Sequence, residues 1–136
     1  ILGVVYDFNN NDLYSGDKFS KLSKLDENEI HVSNKTKKED SILITGLPHN
    51  SDFSEKSLHG LIKDMQIYQK VRMIGSAAMA ACYVASGKAE VYKEKGIYLW
   101  DIIAGAAIVE SAGGTAKISN QKDNFQVDVV FSNSKF

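Results

Sequence analysis

The sequence has 136 residues, 43% of them hydrophobic and 24% charged, with a formal net charge of −1. One domain of this size buries about two thirds of its unfolded surface, and the near-zero charge gives no basic face for a nucleic-acid polymer. No apolar run approaches the roughly 18 residues of a membrane-spanning helix. The one cysteine, Cys82, excludes a disulfide within the chain and fits a reducing, cytoplasmic setting.

Residues 1–7 form an apolar, β-rich run. Residues 9–12 are a turn, and Leu13-Tyr14-Ser15 restarts a strand, which together signal a hairpin. Residues 17–29 are polar and charged and read as an exposed excursion of that sheet, followed by a short strand at residues 30–32. The basic run Lys35-Thr36-Lys37-Lys38 is followed at once by Glu39 and Asp40, which makes it a solvated turn rather than a binding arm. Residues 41–46 form a buried-type strand ended by Gly46 and Pro48. Ser54 is a good N-cap, and Leu58, Leu61, Ile62 and Met65 fall at i, i+3, i+4 and i+7, an amphipathic helix.

Residues 71–74 are a strand closed by Gly75. Ser76 caps a helix over residues 77–86 that is small and apolar nearly all round, hence buried, and Gly87 is its left-handed stop. Residues 89–92 are a strand and residues 93–99 a charged loop. A third helix over residues 101–112 ends at Gly113-Gly114, and strands follow at residues 115–118 and 127–131. Strands alternating with three helices predict an α/β domain with a mixed sheet over residues 1–136. Both ends stop in or beside a strand, so the domain reads as truncated at both.

Two features carry chemistry. Gly75-Ser76-Ala77 opens a helix, and a helix N-terminus offers free N–H groups and a positive dipole end to oxygen-rich ligands; the plain alternative is a tight turn with an ordinary cap. Glu94 precedes Trp100-Asp101 at the start of the next helix. Beside a partly buried Trp100, the Asp101 carboxylate is a fixed oxygen of the kind Mg²⁺ takes as ligand; the plain alternative is again a cap. His31, His49 and His59 with Cys82 match no zinc spacing and read as surface histidines and a core cysteine. Neither a nucleophile elbow nor a phosphate-binding P-loop is present.

The stretch Trp100-Asp101-Ile102-Ile103-Ala104-Gly105-Ala106-Ala107-Ile108-Val109-Glu110-Ser111-Ala112-Gly113-Gly114 resembles the second signature of the inositol monophosphatase family. Gly75-Ser76-Ala77 is similar to that family's Gly-Thr/Ser-Ala turn, and Glu94-Lys95-Gly96-Ile97 to the loop before its Trp-Asp. Leu2-Gly3-Val4-Val5-Tyr6-Asp7 with Asp12-Leu13-Tyr14-Ser15 resembles its middle hairpin. The resemblance implies stacked layers of helices and sheets and Mg²⁺-dependent hydrolysis of a phosphomonoester. That small-molecule ester is expected to be an inositol or related sugar phosphate. It makes Asp101 a metal ligand on the leaving-group side, and Gly75, Ser76, Ala77 and Glu94 substrate-binding residues. It also implies a homodimer of the complete protein.

The family's other signature, Asp-Pro-Ile/Leu-Asp-Gly-Thr, and its earlier Glu-Glu pair are absent from these residues. The chain is therefore expected to be the carboxy-terminal half of such an enzyme, inactive alone. Two local departures are Ile103, which either narrows the pocket or faces the core, and Ser111, where many members have Glu. A 3′(2′),5′-bisphosphate nucleotidase of the same superfamily and a non-catalytic binding domain of the same fold are the alternatives.

Overall fold

The structure, a computed structural model, describes residues 2–47 and 51–136; Ile1, Pro48 and His49 lie outside them. Its first sheet is antiparallel. β1 (Leu2–Asp7) pairs with β2 (Asp12–Asp17) from Leu2↔Asp17 to Asp7↔Asp12, as the hairpin signal predicts. The Asp7 carboxylate closes the turn by accepting the Asn9 N–H at 2.9 Å and the Asn10 side chain at 2.7 Å. Asn11 takes the left-handed φ of 58° that Asn tolerates.

The polar stretch after β2 is exposed at residues 18–21 and 26–29, as expected, but it also supplies two strands of the sheet itself. β3 (Leu22–Leu25) and β4 (Asn28–Glu29) complete the sheet in the order β1-β2-β3-β4. Ser23 is buried there because its hydroxyl donates to the Ile108 carbonyl at 2.8 Å, so a polar residue occupies a core position without an orphaned group. Residues 30–32 do not form the expected strand. Ile30 N–H bonds to Ser23 and Val32 N–H to Ala112, so their hydrogen bonds are split between two elements and build no ladder.

The second sheet is mixed, in the order β6-β5-β7-β9-β8. β5 (Ile42–Thr45) lies parallel to β6 (Lys70–Met73) and to β7 (Val91–Tyr98), while β9 (Gln126–Ser132) runs antiparallel to β7 and to β8 (Thr115–Ser119). β7 continues through residues expected to be a charged loop. Pairing with β9 carries it across a register irregularity between Glu94 and Ile97, where Gly96 has φ +70° and donates its N–H to Asp128 at 3.0 Å.

α1 (Glu55–Ile67) is capped by Ser54 as expected, yet none of its residues is buried, and Ile62 and Met65 are exposed. α2 (Ala77–Ala85) is capped by Ser76 and stops at Gly87, φ +71°. α3 spans Leu99–Ser111, two residues earlier than expected. Its first N–H, from Leu99, donates to Phe125 O at 3.0 Å.

α2 and α3 lie between the sheets. One core cluster joins Tyr14 of the first sheet and Ile44, Tyr92 and Phe131 of the second to Val84, Ile102 and Ile108 of the helices. The Val, Ile and Phe side chains among them each contribute roughly 1.5–3 kcal/mol of burial. The layers approach closely through glycine. A Cβ on Gly3 would stand 2.2 Å from the Ala104 carbonyl oxygen, one on Gly16 2.6 Å from Ile108 Cα, and one on Gly105 2.4 Å from the Ala81 methyl. α1 stands on the other face of the second sheet, where Lys93 reaches Asp64 at 2.9 Å, as right-handed crossovers from β5 to β6 and from β6 back to β7 require.

Candidate active site

The carboxyl ends of β5, β6 and β7 point the same way, and the chain leaves adjacent β5 and β7 toward opposite faces of the sheet. A crevice opens at such a switch point, the usual ligand position in an open α/β sheet. Two clefts lie at this end of the fold.

The first has a volume of about 520 Å³, and its lining includes Gly75, Ser76, Ala77, Ala78, Trp100 and Asp101. It therefore sits between the N-termini of α2 and α3. At α2, Gly75 turns the chain at φ +70° and Ser76 Oγ accepts the Met79 N–H at 3.3 Å. The remaining first-turn amides of α2 carry the positive end of the helix dipole toward the cleft. At α3 the cap is Tyr98, with no side-chain cap bond, and Asp101 is the third helical residue rather than the cap. Asp101 is exposed, and no hydrogen bond or ion pair ties its carboxylate to a described residue. Trp100, expected to be partly buried, is 61% exposed. Its ring is stacked on Tyr98 with centroids 4.6 Å apart and touches Phe125 at 6.1 Å, so aromatic contacts rather than the core hold it at the rim.

The second cleft, about 500 Å³, is lined by Gly46, Asp64, Lys93, Glu94, Lys122 and Asp128 among others. The structure thus brings Gly75, Ser76, Ala77 and Asp101 together and sets Glu94 in the neighbouring cleft. The two remain electrostatically linked. Burial raises the Glu94 carboxyl above its ordinary value near 4.5, the Tyr92 hydrogen bond opposes this, and the Asp101 charge adds to the rise. Tyr92, whose hydroxyl donates to Glu94 Oε2 at 2.8 Å, was invisible as a site residue in the sequence. The available signal was the two-residue spacing that puts Tyr92 and Glu94 on one face of β7.

Among the described residues no group of three or more His, Cys, Asp or Glu could hold a metal ion. Mg²⁺ demands near-octahedral oxygen coordination, so these residues do not by themselves fit it; Asp101 offers one carboxylate. His31 and His59 are exposed, and Cys82 is buried with its thiol pushed up to about 12. Ile103 neither narrows the first cleft nor faces the core: it is 52% exposed and outside the cleft lining. Ser111 is buried and donates to Ala107 O at 2.7 Å, while Glu110 pairs with Lys18.

The family profile described as "Inositol monophosphatase family" matches residues 1–135. The chain belongs to the inositol monophosphatase family. Its solved relatives carry the same fold. It superposes on Mycobacterium tuberculosis SuhB with a TM-score of 0.88 at 27% identity, covering 99% of this chain and 54% of that one. For the inositol monophosphatase of Anabaena (Nostoc) sp. PCC 7120 the TM-score is 0.85 at 27% identity, covering 98% and 54%. Among curated relatives, Inositol monophosphatase 2 of Saccharomyces cerevisiae is 35% identical over 125 residues, 84% of this chain and 42% of its own length. Nus factor SuhB of Pasteurella multocida is 35% identical over 117 residues, 83% and 42%. This inositol monophosphatase family chain spans about half the length of the curated relatives it matches.

Proposed function

We propose that the protein carrying this chain is a Mg²⁺-dependent phosphomonoesterase acting on inositol monophosphate or a related sugar phosphate. The observation that supports this most is the convergence of two helix N-termini and the unpaired Asp101 carboxylate on one cleft. The α2 amides following Gly75-Ser76 are donors for phosphate or hydroxyl oxygens. Glu94, in the next cleft, is an acceptor for ring hydroxyls. Asp101 is assigned as one Mg²⁺ ligand, the others coming from residues outside those described. The working protein is proposed to be a cytoplasmic homodimer with a small-molecule phosphate ester as its partner, and the isolated chain to be inactive.

The test is inorganic phosphate release by the complete protein and by the isolated chain. The panel is inositol 1-phosphate, adenosine 3′,5′-bisphosphate, fructose 1,6-bisphosphate and histidinol phosphate, each with Mg²⁺ and with a chelator. Release from inositol 1-phosphate by the complete protein, abolished by chelation and absent from the isolated chain, is expected. Preference for the bisphosphate nucleotide would favour the nucleotidase reading. No release from any ester would sink the phosphatase reading. It would leave the second one, a non-catalytic module of the same fold, which is favoured by matched relatives named as a Nus factor rather than a phosphatase.

A further inference from the structure

We infer that Tyr92 and Gly46 are positioning residues, which together fix the Glu94 carboxylate so that one oxygen is held and the other is free for substrate. This rests on the proposed reading of Glu94 as the group that accepts substrate hydroxyls.

A glutamate on a strand rotates about three side-chain bonds, so presenting one carboxylate oxygen to a ligand requires something to hold the other. Tyr92 does this. Its ring is fully buried and set edge-on to Phe131, with centroids 5.8 Å apart and an interplanar angle of 78°. The hydroxyl is therefore a fixed donor, and it meets Glu94 Oε2 at 2.8 Å. Glu94 Oε1 takes no hydrogen bond from any described residue.

The seat is made by Gly46. Ile44 pairs with Tyr92 across parallel β5 and β7, so two residues further on Gly46 comes beside Glu94. A Cβ at Gly46 would lie 2.5 Å from Glu94 Oε2 and 2.7 Å from both Cδ and Oε1. Gly46 has no positive φ that would demand glycine, so room for the carboxylate is what the missing side chain provides. Beside it, Thr45 Oγ1 donates to Lys93 O at 2.7 Å and holds the two strand ends in register.

The atoms a Gly46→Ala methyl would meet are the far end of a flexible side chain, so this variant displaces the carboxylate without disturbing the backbone. Tyr92→Phe removes the donor and keeps the buried ring. In the complete protein with inositol 1-phosphate, Glu94→Gln is expected to raise KM about tenfold with little change in kcat. Tyr92→Phe and Gly46→Ala should each raise KM severalfold, roughly three- to tenfold, with kcat kept. The Tyr92→Phe/Glu94→Gln double variant should be no worse than Glu94→Gln alone, because both act through one carboxylate. If Glu94→Gln raises KM but Tyr92→Phe and Gly46→Ala leave it unchanged, the positioning role is wrong and the reading of Glu94 stands. Multiplicative effects in the double variant would likewise overturn the positioning role alone. An unchanged KM in Glu94→Gln overturns both.

Discussion

At the scale of single residues, the first cleft turns on Asp101. On the proposed reading of Asp101 as a Mg²⁺ ligand, Asp101→Asn removes one ligand charge, and turnover of the complete protein is expected to fall by roughly 10²–10³-fold, the size of other lost electrostatic stabilisers. Near-normal turnover at ordinary Mg²⁺ would reduce Asp101 to a first-turn partner of the helix dipole. Glu94 links the site to stability. Its folded carboxyl is raised above the ordinary value near 4.5, chiefly by burial, so ionising it costs more in the native chain than in the unfolded one. Its contribution is fully present below the ordinary value and is lost as pH rises through the raised one. Glu94→Gln should therefore raise the melting temperature at pH 7 and give no gain at about pH 4, as thermal unfolding at the two pH values would reveal. Cys82 is the opposite kind of residue: buried, with its thiol near 12. A thiol reagent at about pH 8 should leave it unmodified in the native chain and label it once denaturant is added. Labelling of the native state at the unfolded rate would refute that burial.

Elements are where sequence reading succeeded and failed for physical reasons. The caps Ser54 and Ser76 and the stop Gly87 were legible because capping chemistry is local. β7 was not legible beyond Tyr92. Its charged residues look like a loop, and only pairing with β9 and the Lys93–Asp64 contact make them strand. β3 was hidden for a similar reason, since the partner that lets Ser23 be buried lies 85 residues away. Of the site, Gly75-Ser76-Ala77 and Asp101 could be read from motifs and do share a cleft, whereas the Tyr92–Glu94–Gly46 arrangement depends on strand register. α1 shows a true helical spacing that the fold covers only in part, with Leu58 and Leu61 half-buried and Ile62 and Met65 exposed. The spacing of apolar residues specifies a helix without specifying a neighbour. The glycines make this contrast measurable. Gly60, on α1, has open space where a Cβ would stand, so Gly60→Ala should stabilise by about 0.5–1 kcal/mol through helix propensity. Gly105 faces Ala81 across the α2–α3 contact, and Gly105→Ala should destabilise by about 1–3 kcal/mol through overpacking. Urea unfolding of the two variants reads both signs, and a stabilised Gly105→Ala would mean that the helices part at no cost.

For the whole molecule, the outer face of the first sheet is the conspicuous surface. Leu2, Val4 and Tyr6 alternate outward along β1, and Phe8 beyond them is 86% exposed. Among the described residues β1 is also an edge strand of its sheet, and such an edge presents backbone donors and acceptors for pairing. An apolar face on a free edge favours association. The isolated 136-residue chain is expected to sediment as more than a monomer at micromolar concentration, and a Leu2→Lys/Tyr6→Lys variant to shift toward monomer. A strictly monomeric parent chain would show that this face is tolerated in water. The rim of the first cleft has a different consequence. Trp100 is the only tryptophan in the chain, and it stacks on Tyr98 next to Asp101. All indole emission from this domain therefore originates at the mouth of that cleft. On the proposed function, a cation or ester arriving there would change the polarity around one chromophore, so occupancy could be followed optically, without a label and without waiting for turnover.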